Sequence, residues 1–260
     1  MSILEFKHIG LTYYSKNGET TALKNVNFNI EPGEFVSIVG PSGCGKTTIL
    51  SLISGLIKPT EGEIILNTKT PPGYMFQKDH LFEWRTILKN TYIGLEIKKQ
   101  NTKEDKLRTQ NLLKKYGLWE FKDKYPRQLS GGMRQRVALI RTLALSPELL
   151  LLDEAFSALD FQNRLKVCDD VKRILQEEKT TAILVTHDIT EAISLSDKII
   201  ILSKKPGTVK TIINLDEFKN LPPLKRRENS KSAYFFDKIW GELQEWIRKI
   251  IILAQVTENI

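Results

Sequence analysis

The sequence predicts an α/β fold with a parallel core built around a phosphate-binding loop, and three observations point there. Gly40–Thr48 reads Gly-Pro-Ser-Gly-Cys-Gly-Lys-Thr-Thr and fits the pattern G-x-x-x-x-G-K-[ST]. It stands between a strand-like apolar run, Glu34–Val39, and a helix-like run, Thr47–Ser54. From Leu149 to Leu202 short apolar strands alternate with amphipathic helices, the rhythm of a parallel sheet. Ahead of the loop, Ile3–Ile9 and Val26–Ile30 alternate apolar and polar residues, as half-buried antiparallel strands do.

The two opening strands are joined by a polar turn at Ser15–Glu19. Gly55 is placed to end the helix after the loop, and the turn Lys58–Glu63 leads into a strand at Ile64–Asn67. Between about Trp84 and Ala144 the pattern becomes helical. Thr102–Tyr116 is amphipathic, with Thr102 and Asp105 as a start and Gly117 as a stop, and Gly132–Leu145 continues as helix until Pro147. The alternation that follows is strand Leu149–Leu152, helix Arg164–Glu178, strand Thr181–Thr186, helix Ile189–Leu195 and strand Ile199–Leu202. Lys205-Pro206-Gly207 turns the chain back into Thr208–Asn214, a hairpin. Lys219–Lys231 is expected as a loop or linker. The last stretch is an amphipathic helix whose stripe of Phe236, Trp240, Leu243, Ile247 and Ile250 is expected to face a core, with a partner or membrane surface as the alternative.

The chain has 260 residues, 41% of them hydrophobic, enough to bury a sizeable core. The net charge is +8, and the clusters Lys225-Arg226-Arg227 and Lys204-Lys205 read as solvated surface. No basic stripe is interleaved with aromatics, so nucleic acid is not an expected partner. No secretory leader is visible, and Ile250–Val256 is too short an apolar stretch to span a bilayer, so a soluble cytosolic chain is expected. Two cysteines, Cys44 and Cys168, make no disulfide framework and no metal-ligand spacing.

The chemistry concentrates in three stretches. In the loop, Gly40, Gly43 and Gly45 let successive backbone N–H groups converge on one concavity, and Pro41, Ser42, Cys44 and Thr48 complete it. Lys46 adds a charge for the β- and γ-phosphates, and the Thr47 hydroxyl is placed to ligate Mg²⁺. A bound nucleoside triphosphate follows. The Cys44 thiol, near a helix start and Lys46, is expected to have some thiolate character and to be open to alkylation. Second, Leu149–Leu152 ends in Asp153 and Glu154. Asp153 is suited to hold Mg²⁺ and Glu154 to polarise an attacking water, the alternative being a salt-bridged pair at a strand end. Third, Ser130, Gly131 and Gly132 open a long helix, so a hydroxyl, bare N–H groups and a positive helix end point one way. One nucleotide loop needs no second phosphate site on its own chain. A dimer is therefore expected, in which this helix start caps the γ-phosphate held by the partner; ordinary capping is the alternative.

Together these motifs resemble those of the ATP-binding cassette (ABC) ATPases. Leu129-Ser130-Gly131-Gly132 followed by Gln135-Arg136 is similar to the family signature, and the resemblance covers about residues 3–215. It implies a P-loop NTPase fold of the ABC ATPase type, with an antiparallel β subdomain and an α-helical signature subdomain near 84–145. The ATPase domain would span 1–218, followed by a linker and C-terminal helix in 219–260. The resemblance also implies roles. Gln77, in Tyr74-Met75-Phe76-Gln77, would touch Mg²⁺ or water and sense a membrane partner. Ser157-Ala158-Leu159-Asp160 would cross to the other subunit, with Asp160 at the nucleotide. His187 would contact the γ-phosphate, and Tyr13 or the adjacent Tyr14 would stack on adenine. Met133 stands where many relatives carry glutamine, which leaves the phosphate contacts of Ser130 and the glycine backbones unaffected.

The segment Phe76–Thr86 further resembles the nitrate, sulfonate and taurine importer subfamily, although Glu83 stands where those relatives usually have proline. Trp84 is either a core residue or the anchor of a socket for a partner helix. The implied function is the ATP-hydrolysing subunit of an importer on the cytoplasmic face of the membrane, using ATP and Mg²⁺. Its implied partners are a second copy or a paired ATPase subunit, a transmembrane permease and, indirectly, an external solute-binding protein. The alternative is a non-transport ABC ATPase of DNA repair or translation. Such a protein would be expected to show a duplicated cassette, a coiled-coil insertion or zinc cysteines, and the sequence shows none of them.

Overall fold

The computed structural model describes residues 1–257 except 17, 100, 101, 158 and 220, with side chains described up to residue 244. Among the described residues the strands are β1 (Leu4–Ser15), β2 (Gly18–Ile30), β3 (Phe35–Val39), β4 (Glu61–Leu66), β5 (Gly73–Met75), β6 (Leu149–Asp153), β7 (Thr181–Val185), β8 (Lys198–Leu202) and β9 (Val209–Asn214). The helices are α1 (Lys46–Ile53), α2 (Ile87–Ile97), α3 (Lys103–Lys115), α4 (Gly131–Leu143), α5 (Phe161–Glu177), α6 (Ile189–Leu195), α7 (Pro223–Glu228) and α8 (Lys231–Thr257). The chain forms two compact units, one of Met1–Asn67 with Val185–Ile260 and one of Thr68–Leu184.

In the first unit, β2, β1 and β4 make an antiparallel sheet, while β3 pairs parallel with β8 and β8 antiparallel with β9. β1 and β2 run well past the expected Ile3–Ile9 and Val26–Ile30. Their outer halves, rich in Thr and Tyr, pair in register out to Ser15 and Gly18. β-branched and aromatic residues favour such a ribbon even where one face meets water. β3 is buried at every position, as a central parallel strand requires.

The C-terminal segments differ from expectation in three ways. Lys219–Lys231 is not only linker: α7 occupies Pro223–Glu228, with Pro223 inside its first turn. Arg226 is not solvated surface but completely buried. Its Nε donates to the Leu221 carbonyl at 2.9 Å, Nη1 to the Ser196 carbonyl, and Nη2 to Asp197 Oδ1 at 3.3 Å. A buried guanidinium is tolerated only with such a full set of acceptors. Finally, the core-facing stripe of α8 is Phe235 and Ile239, 5% and 0% exposed, whereas Phe236 and Trp240 are 37% and 46% exposed. Phe235 and Ile239 join Ile193, Ile199, Ile201, Ile213 and Phe218 in one cluster, with Leu243 packed against it. The start of α8 packs into the first unit's core, and α7 belongs to the same unit. The side chains of Ile247 and Ile250 lie outside the described residues.

In the second unit, β5 pairs parallel with β6, and β6 lies beside β7. β5 was not foreseen. Three residues after Pro71-Pro72 show no periodicity, and only pairing with β6 makes them a strand. Leu149–Leu152 are fully buried. The helical stretch contains α2, α3 and α4. The expected start of α3 is a capping box, with Thr102 accepting from the Asp105 N–H and Asp105 from that of Thr102. α5 begins three residues before the expected Arg164, because the Asp160 side chain caps it by accepting from the Asn163 N–H at 3.0 Å.

Candidate active site

The first unit carries the phosphate loop. It leaves the buried end of β3 at Gly40 and enters α1 at Lys46, with Gly43 and Gly45 at φ of 74° and 102°, left-handed backbone that glycine adopts without strain. Gly45 also meets Leu23: a Cβ there would lie 2.6 Å from Leu23 Cδ2. The Lys46 side chain curls back over the loop. Its Nζ donates to the Gly40 and Pro41 carbonyls at 2.8 and 3.0 Å, which holds a positive charge within the cradle. Ser42, Gly43 and Thr47 are exposed at its mouth. Tyr13, on β1, brings its hydroxyl to 3.5 Å from Thr48 Oγ1, whereas Tyr14 belongs to the opposite face of the strand. Tyr13 is thus the aromatic beside the loop. His187 follows Thr186, whose N–H donates to the Ile38 carbonyl at 3.3 Å, so the histidine sits where β3 ends and the loop begins. Asp188 caps α6 by accepting from the Glu191 N–H at 3.0 Å.

The Cys44 expectation is overturned. Its thiol is wholly buried, and the loop closes on it so tightly that a Cβ on Gly40 would lie 2.7 Å from its Sγ. Burial pushes the thiol's pKa up, and Lys46 Nζ, 4.0 Å away, does not reverse this. Cys168 is buried as well. A bulky maleimide should therefore label neither cysteine in the folded chain and both in denaturant, as counted by intact mass. Rapid native labelling of Cys44 would contradict this geometry.

The second unit carries the carboxylates. Asp153 ends β6, and Glu154 follows with φ of 46°, a left-handed conformation uncommon for a side chain of this kind and typical of sites where geometry outranks comfort. The Glu154 carbonyl accepts from the Ser157 N–H at 3.1 Å and the Ser157 hydroxyl at 2.9 Å, which fixes the turn. Ser157 Oγ in turn accepts from Gln77 Nε2 at 3.0 Å. Gln77 and Glu154 are thus joined through one serine. Ala158, in the segment expected to cross to another subunit, lies outside the described residues. The Asp160 carboxylate is held below the usual carboxylate range by the backbone and side-chain N–H groups of Asn163. Sequence reasoning missed Tyr74, whose hydroxyl donates to Asp153 Oδ2 at 3.1 Å. Burial first, and the Asp153 charge second, push its phenol above the usual value.

Ser130 caps α4, its Oγ accepting from the Met133 N–H at 3.3 Å, so capping and an exposed hydroxyl coexist. The helix is tied to the segment after Gln77. Gln135 Nε2 donates to the Gln77 carbonyl at 3.2 Å, Arg134 Nε to Asp79 Oδ2 at 3.0 Å, and Arg141 to the carbonyls of Asp79 and His80 at 2.8 and 2.7 Å. Asn90, a second missed residue, clamps the next turn. It accepts from the Phe82 N–H at 2.7 Å and donates to the carbonyls of Phe82, Arg85 and Thr86. On this turn Trp84 is 73% exposed, against Phe82, which rules out the core-packing alternative. A cavity of about 410 Å³ adjoins, lined in part by Gln77, Asp79, Glu83 and Arg134.

A model of the ABC transporter family matches residues 23–157. The uncharacterized ABC transporter ATP-binding protein YtlC of Bacillus subtilis is 47% identical over 250 residues, covering 94% of this chain and 96% of that protein. The aliphatic sulfonates import ATP-binding protein SsuB of Bacillus cereus is 42% identical over 227 residues, covering 85% and 87%. Among solved structures, the dimeric post-hydrolysis state of the ATP-binding cassette MJ0796 bound to ADP and Pi matches with a TM-score of 0.68 at 37% identity, covering 82% of this chain and 98% of that one. With a phosphate loop, a carboxylate-ended strand and a capped signature helix each in place within its own unit, the chain belongs to the ABC transporter family as an ATP-binding subunit that hydrolyses ATP.

Proposed function

We propose that the chain energises import of a small sulfonate-type solute, acting as a homodimer against a separate permease on the cytoplasmic face of the membrane. The observation that carries the reading is the Trp84 turn. It presents an aromatic to solvent, is clamped by Asn90, and follows directly on the Asp79–His80 segment bonded to the signature helix. A permease helix seated there would act at once on Gln77 and on Ser130. Similarity to SsuB supports the sulfonate class, and no helix among the described residues is long and apolar enough to cross a membrane.

The chain's own residues divide the chemistry between them. The loop N–H groups and Lys46 bind the ATP phosphates, and Tyr13 stacks on adenine. Thr47, Gln77 and Asp153 offer a hydroxyl, an amide oxygen and a carboxylate, the hard oxygen donors that suit Mg²⁺. When bound, Mg²⁺ would neutralise charge developing on the phosphate oxygens. Glu154 accepts a proton from water as its oxygen bonds to the γ-phosphorus and the bond to the β-phosphate oxygen breaks, releasing ADP and phosphate. His187 steadies the γ-phosphate on one chain. Ser130, Gly131 and Gly132 cap it from the other, with Asp160 at the crossing segment. ATP closes the dimer because it binds the closed state better, and that difference moves the permease.

Trp84→Ala should leave the melting midpoint and basal ATPase of the isolated subunit nearly unchanged, since an exposed ring contributes little to folding. In vesicles reconstituted with the permease it should abolish hydrolysis stimulated by the external binding protein with its solute, because aromatic anchors dominate such contacts. Full stimulation in the variant would refute the socket.

A further inference from the structure

We infer that Tyr74 is a positioning residue for Asp153, setting how strongly the site holds its divalent cation with ATP. The inference rests on the reading of Asp153 as a Mg²⁺-holding carboxylate. Its basis is register. Tyr74 lies opposite Leu151 in the parallel pairing of β5 with β6. Side chains two apart share a strand face, so Asp153 projects from the same face as Leu151, one step toward the strand's end. The phenol reaches along that diagonal, and its hydroxyl donates to Asp153 Oδ2 at 3.1 Å. The ring is fixed from the side by Phe76, with centroids 4.4 Å apart. The hydroxyl is therefore not swinging free when it meets the carboxylate.

This bond does two things. It gives one carboxylate oxygen, Oδ2, a neutral donor that a bound cation need not displace. It also prevents the carboxylate at a strand end from rotating about its last torsion, which is otherwise broad. Groups that hydrogen-bond metal ligands in this way typically change metal affinity by about 10–100-fold when removed. The pairing needs the short strand that the sequence did not reveal, since without β5 there is no reason for Tyr74 to face Asp153.

Tyr74→Phe keeps the ring, its packing on Phe76 and its buried area, and deletes only the hydroxyl. The expected result is a rise of about tenfold in the Mg²⁺ or Mn²⁺ concentration that half-saturates the complex with a non-hydrolysable ATP analogue. Mn²⁺ binding would be read by electron paramagnetic resonance on the full chain. Affinity for the analogue in EDTA and the melting midpoint should match the unmutated chain, and hydrolysis should recover as Mg²⁺ is raised. An unchanged half-saturation in Tyr74→Phe, alongside a weakened one in Asp153→Asn, overturns the positioning role alone. An unchanged value in Asp153→Asn overturns the assignment of Asp153 and the inference with it. If Tyr74→Phe loses analogue affinity equally in EDTA, the tyrosine supports the fold rather than the cation, and the inference is likewise overturned.

Discussion

Lys46→Ala should reduce ATP turnover by about 10²–10³-fold. Hydrogen bonds to charged partners contribute about 1.5–3 kcal/mol each, and the ammonium is placed to serve two phosphates, so about 3 kcal/mol or more of binding to the triphosphate and its transition state is removed. The folded chain already holds this ammonium inside the loop on the Gly40 and Pro41 carbonyls, so the charge is waiting where the phosphates arrive. Phosphate release and binding of a fluorescent ATP analogue measure the effect. A melting midpoint close to that of the unmutated chain separates lost binding from lost folding. Turnover at the unmutated rate would end the assignment of the phosphate loop.

Glu154→Gln should lower hydrolysis by about 10²–10⁴-fold, the range for removing a positioned general base, while ATP still binds. Glutamine keeps the shape and the hydrogen-bonding reach but cannot take a proton from water. The backbone there is left-handed and pinned by Ser157, so the substitution should not let the segment relax elsewhere. Single-turnover phosphate release measures it, and normal turnover would mean that another group takes the proton.

How much of this was legible in the sequence follows from the range over which each feature is decided. The phosphate loop, the α3 capping box and α6 at Ile189–Leu195 depend on residues close in sequence, and the structure has them as expected. The sequence puts the stripe of α8 on Phe236 and Trp240, one residue away from the buried one, because Phe235-Phe236 and Ile239-Trp240 offer two stripes with the same spacing of four. Only the cluster with Phe218 and Ile213 selects the first. β5 exists only through its partner strand, and Tyr74 acquires its role by the same pairing. Arg226 sits in a basic triplet that reads as surface, and the acceptors that bury it come from the chain around Ser196 and Leu221. Cys44 illustrates a different limit. Proximity to Lys46 is visible in the sequence, while the burial that outweighs it is not.

In the proposed mechanism two chains close on ATP held between the phosphate loop of one and the Ser130 helix start of the other. The most direct measurement is gel filtration with light scattering of Glu154→Gln in Mg²⁺-ATP, beside the same variant carrying Ser130→Arg. The expected result is a dimer with two bound ATP for Glu154→Gln, and a monomer that still binds one ATP for the double variant. A Glu154→Gln chain that stays monomeric with ATP bound, or a dimer that Ser130→Arg leaves intact, would contradict it.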